Sequence, residues 1–123
     1  MNDVPSPPHA LVLLIDDAGF ERDYVHGVLT ARGIEVLGPF ADSRAGFAAI
    51  GNVPPDAAVV AWSGPPADRQ RLSDELARRA IPCLTIGDEP RPVVLDTHLP
   101  RPFAAFQVAE WVCVALSTRV IAN

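Results

Sequence analysis

Two carboxylates side by side, Asp16 and Asp17, follow directly on the apolar run from Ala10 to Ile15. Such a pair can hold a divalent cation; without one the two charges repel until a cation or a donor relieves them. A second apolar run, Ala57 to Trp62, ends in Ala61 and Trp62, and a third, Cys83 to Ile86, is followed by Gly87. A single cationic side chain, Arg101, precedes the final amphipathic segment. A pocket built from Asp16, Asp17, Ala61, Trp62, Gly87 and Arg101 is therefore acidic and degenerate. It holds two carboxylates and a guanidinium, with no third carboxylate and no nucleophile. Arg101 is expected to act as a built-in cation for the acidic pair. Asp16 and Asp17 alone support at most a weak divalent-cation site.

Other chemistry is poorly supported. Ser63 has no His or Asp at a triad-like spacing. His26 falls on a helical segment, and His9 and His98 read as loop residues; none has a second ligand at metal spacing. Cys83 and Cys113 lie in apolar runs and read as buried, reduced core thiols. Asp16-Asp17-Ala18-Gly19 does not match the dinucleotide fingerprint, and no Walker-type Gly-Lys-Ser/Thr occurs. These readings leave no catalytic residue, no cofactor and no metal as an expectation, and the chain is expected not to be an enzyme.

The elements that must position the pocket alternate. Residues 1–9 are polar, carry Pro5, Pro7 and Pro8, and read as an extended lead-in to a domain spanning 10–123. Ala10–Ile15 shows no alternation, the pattern of a strand covered on both faces. Phe20–Ala31 has helical spacing, with Gly33 as a stop. Ile34–Leu37 is a short strand ended by Gly38-Pro39. Asp42 or Ser43 caps a second helix through Ile50. Ala57–Trp62 is a third strand and Ala67–Ala80 a charged helix with Leu72 and Leu76 inward. Cys83–Ile86 is a fourth strand, Val93–Leu95 a fifth, and Phe103–Val120 a long last helix. Arg69, Arg71, Arg78 and Arg79 are interspersed with Asp68, Asp74 and Glu75, as on a solvated helix face. The alternation predicts an α/β fold with a doubly wound, five-stranded parallel sheet. Its ligand crevice then lies at the carboxyl ends of the strands.

The chain is 123 residues long, 49% hydrophobic and 20% charged, with a net charge of −5. That suffices for one packed core, and the acidic balance disfavours nucleic acid as a partner. No apolar stretch is long enough to span a bilayer and no basic, apolar leader is visible, so a cytoplasmic chain without membrane contact is expected.

Three stretches, in order, resemble the bacterial response-regulator receiver domain. Leu11-Val-Leu-Leu-Ile-Asp16-Asp17 is similar to that family's first strand and acidic pair. Pro54-Pro55-Asp56-Ala-Ala-Val-Val-Ala61-Trp62 is similar to its third strand. Leu99-Pro100-Arg101-Pro102-Phe103 is similar to its Lys-Pro-Phe turn before the last helix. The resemblance implies a flavodoxin-like fold and a place in two-component, phosphorelay signal transduction. In the family an aspartate accepts a phosphoryl group, with magnesium held by the acidic residues; the resemblance thus implies at most a weak residual magnesium site at Asp16 and Asp17. Here the acceptor position falls on Ala61, the hydroxyl position on Gly87, and the lysine position on Arg101. The stretch from Gly87 to Arg101 is also too short for a helix and a strand, and Pro90 and Pro92 interrupt it, so the fourth helix is expected to be shortened or missing.

What the resemblance implies is an atypical receiver domain that is not phosphorylatable and works by protein–protein interaction. Its expected partners are a histidine kinase or phosphotransfer protein, met through the first helix, and a second copy of the chain, met through the last. Two alternatives stay open: a flavodoxin-like domain that binds a small molecule near Asp16, Trp62 and Arg101, and a receiver phosphorylated at a non-standard site, Asp16 or Asp17.

Overall fold

The computed structural model describes residues 10–62, 64–87, 97–100 and 103–121. Five strands and four helices are found there: β1 (Leu11–Ile15), α1 (Gly19–Ala31), β2 (Glu35–Phe40), α2 (Ser43–Ile50), β3 (Ala57–Ala61), α3 (Pro66–Arg78), β4 (Cys83–Gly87), β5 (Thr97–Pro100) and α4 (Ala105–Ile121). All strand pairs are parallel, in the order β2-β1-β3-β4-β5. This is the expected α/β, flavodoxin-like, doubly wound sheet.

The three inner strands are buried along nearly their whole length, which is why they read as unbroken apolar runs. Alternation along each strand sends side chains into two cores. Val12, Leu14, Val59, Ala61, Leu84 and Ile86 pack with Val25 and Leu29 of α1 and Val108 and Val112 of α4. Leu13, Ile15, Ala58, Val60 and Cys83 pack with Ile50 of α2 and Leu72 and Leu76 of α3.

Local chemistry sets the helix ends. Asp42 caps α2, its Oδ1 accepting the Ala45 N–H at 2.9 Å. After α1 the chain turns through Gly33 at φ 77°, and the Ile34 N–H reaches back to the Leu29 carbonyl at 3.1 Å. α3 ends at Arg78, earlier than its spacing suggested, because Ala80 adopts φ 55° and sends the Ile81 N–H back to the Leu76 carbonyl.

Two strands differ from the expectation. β2 does not stop at Leu37. Gly38, at φ 110°, forms an irregularity after which Phe40 rejoins the ladder opposite Ile15. A side chain at Gly38 would lie 2.8 Å from the Phe40 nitrogen and 3.0 Å from the Leu14 carbonyl oxygen, so the bend requires glycine. The fifth strand described is Thr97–Pro100; Val93–Leu95, where the sequence reading placed it, lies outside the described residues. As an edge strand, β5 pairs on one side only and tolerates Pro100. Between β4 and β5, residues 88–96 also lie outside the described residues, so four helices are those the structure describes.

Candidate acidic site at the carboxyl edge of the sheet

The strand order reverses between β1 and β3, and the ends of these two strands carry Asp16 and Ala61. Ile15 pairs with Val60, so Asp16 and Ala61 come level one residue further on. The alternation that sends Leu14 and Val59 toward α1 and α4 sends Asp16 and Ala61 the same way. Ala61 is 2% exposed and Asp16 is 0% exposed. Sequence reasoning that matched strand ends by parallel register therefore brings these two residues together.

Asp16 is held from two directions. Its N–H donates to the Phe40 carbonyl at 2.9 Å, a bond made available by the irregularity at Gly38. Its Oδ1 accepts the Ala18 N–H at 2.9 Å. Ala18 is the N-cap of α1 and supplies no side-chain cap, so the Asp16 carboxylate serves the first free N–H ahead of the helix. The second acidic residue behaves differently: Asp17 is exposed. The pair thus splits into one buried carboxylate engaged with the backbone and one carboxylate in water.

Trp62 does not join this side. It is half-buried and packs against the cluster under α2 and α3, a rim aromatic. Gly87 ends β4, partly exposed, opposite Pro100 of β5. Arg101, expected as a built-in cation, lies outside the described residues. Asp56 sits at the opposite edge, where its Oδ2 accepts the Leu11 N–H at 2.9 Å and starts β1.

One residue was misplaced by sequence reasoning. His98 is not in a surface loop. It lies in β5, half-buried and opposite Thr85 of β4, and its Nδ1 shares a 3.0 Å hydrogen bond with the Thr85 hydroxyl. Thr85 itself is buried at 2% exposure. The His–Leu–Pro run gave no strand signal, since an edge strand needs no continuous apolar run. Of the cysteines, Cys83 is buried as expected, whereas Cys113 is half-buried, with its sulfur 3.8 Å from an Arg32 guanidinium nitrogen; neither forms a disulfide.

Among the described residues, no three His, Cys, Asp or Glu side chains stand together as a metal-ligand group, and no helix is long and apolar enough to cross a membrane. No protein-family profile and no curated protein sequence matches the chain. Solved structures do. A CheY-like response-regulator receiver domain protein from Methanospirillum hungatei superposes with a TM-score of 0.81 at 17% identity, covering 94% of this chain and 100% of that one. The chemotaxis response regulator CheY4 of Vibrio cholerae gives 0.74 at 21%, covering 89% and 100%. The receiver domain of the hybrid histidine kinase CckA gives 0.69 at 23%, covering 86% and 98%. The chain has the CheY-like receiver fold. In the receiver fold the β1/β3 edge is the crevice at the topological switch point, and here it holds Asp16 and Ala61.

Proposed function

We propose that this chain is a receiver-type module of two-component signal transduction that works by binding proteins and is not phosphorylated. The observation that carries the reading is Ala61, buried level with Asp16 at the end of β3. A methyl group offers no oxygen to a phosphoryl group or a cation. Asp16 already spends one carboxylate oxygen on the Ala18 N–H, and Asp17 is turned to solvent. With Ala61 giving no oxygen, the described residues lack the carboxylate set that would hold magnesium against a phosphoryl group at the end of β3. On this reading the chain is not an enzyme, has no resident cofactor and acts in the cytoplasm.

The partner class follows from the fold's company. The receiver domain of a hybrid histidine kinase is among the structures similar to this chain. A histidine kinase or phosphotransfer protein is therefore the proposed partner, with α1 as the docking helix beside the crevice. The test is incubation of the chain with acetyl phosphate and magnesium, followed by intact-mass measurement. The expected result is no adduct. A stable gain of one phosphoryl group, mapped to Asp16, Asp17 or any other residue, would overturn the proposal.

A further inference from the structure

α1 exposes two aromatic rings one turn apart, with Phe20 89% exposed and Tyr24 51% exposed. The same stripe continues through Gly27 and Ala31, both exposed. The spacing of four, three and four residues keeps all four positions on one helix face. Gly27 sits in mid-helix, where glycine weakens the helix, yet an added Cβ there would meet nothing within 4 Å. Packing within the protomer therefore does not call for glycine at this position. One face thus carries two large apolar side chains at one end and two small ones at the other.

We propose that this stripe joins two copies of the chain as an antiparallel, two-fold α1–α1 pair. A two-fold interface brings a patch against itself, each position meeting its mirror position along the helix. In the antiparallel arrangement Phe20 falls opposite Ala31 of the second copy, and Tyr24 opposite Gly27. Each ring covers a small residue, and the missing side chain at Gly27 lets the helices approach closely. Charge agrees with size. Asp23 falls opposite Val28 and Glu21 opposite Thr30, so no carboxylate meets a carboxylate. Asp17, exposed just before α1, comes near Arg32, exposed just after it. Antiparallel helices also set opposite dipole ends together. α4 offers no comparable match: its exposed Phe106 and Val114 flank the exposed Glu110, so the α4 stripe carries a charge at its centre. The face proposed for self-association is therefore α1, in place of the last helix. The pairing does not depend on the signalling reading. It would cover the helix proposed for kinase docking, so that self-association and docking exclude one another.

One helix per protomer is a small interface, so the pair should form at roughly 10 μM to 1 mM. Sedimentation velocity of the full chain up to about 1 mM reads this directly. The expected result is a concentration-dependent shift from monomer to dimer and no larger species. Phe20→Ala and Gly27→Leu should each weaken association by at least about tenfold. Gly27→Leu should melt no lower than the parent, because its side chain enters open space, which separates loss of pairing from loss of fold. Phe106→Ala should associate as the parent does. A parent that stays monomeric throughout, association unchanged in either α1 variant, or association lost in Phe106→Ala overturns the proposal.

Discussion

Thr85 of β4 and His98 of β5 stand directly opposite one another in the parallel ladder, and their side chains share a hydrogen bond of 3.0 Å. The other ring nitrogen, Nε2, is buried with no hydrogen-bond partner among the described residues. Thr85 is thus the ring's hydrogen-bond partner among the described residues, through Nδ1 alone. Replacing one partner leaves a buried polar group behind, whereas replacing both removes the need. Thr85→Val and His98→Phe should each lower stability by about 1–2 kcal/mol. The double variant should cost less than the two combined, with a coupling of about 1 kcal/mol in urea denaturation. Simple additivity would show that the contact contributes nothing.

Ala61 lends itself to the converse experiment. A carboxylate placed there by Ala61→Asp would stand buried beside Asp16, with like charges in a site of low polarity. Stability should fall by about 1–3 kcal/mol without divalent ions. Magnesium should then recover about 2–3 kcal/mol at a concentration of about 100 Kd, since it binds only the folded chain. The parent's melting temperature should be indifferent to magnesium. Thermal melts with and without the ion, on both proteins, decide the matter.

Sequence showed the inner sheet and most of β2 but not the β5 edge, for a physical reason. β1, β3 and β4 are covered on both faces, so burial writes itself into continuous runs such as Leu11–Ile15 and Ala57–Ala61. β5 is paired on one side only, and Thr97–Pro100 carries no such signal. The end of α3 was hidden because Ala80, not glycine, takes the left-handed conformation there. In the site, Asp16 and Ala61 were legible together because parallel strands in register bring like ends level. The Thr85–His98 contact was not, because it depends on which residue of β5 lies opposite β4, a register that composition does not encode.

Gly38 shapes the crevice from the flank. Its positive φ lets β2 bend and return Phe40 to the Asp16 N–H. Gly38→Ala should cost roughly 1–3 kcal/mol, because an L side chain there is strained and meets backbone atoms. Amide hydrogen exchange gives the specific readout. Exchange at the Asp16 amide should quicken more than at the Leu13 amide in the middle of β1. Equal changes at both would mean global loss of stability without a local role for the bend.

Glu75 on α3 accepts hydrogen bonds from two guanidinium groups, those of Arg78 and Arg79. Hydrogen bonds from Arg78, and then from Arg79, hold it below the usual carboxylate range. The same contact raises Arg78 above its ordinary value. A lowered carboxylate pKa means that the folded state prefers the charged form. The contribution is therefore complete above the ordinary carboxylate pKa and disappears as pH falls through the lowered one. The cluster lies at the surface, so the effect is small and screened by salt. Glu75→Gln should lower the melting temperature slightly at neutral pH in dilute buffer. The difference from the parent should shrink toward zero in acid, and also at about 1 M salt, where the Debye length is about 3 Å. A difference that persists unchanged at low pH would assign the role of Glu75 to packing of its side chain, not to its charge.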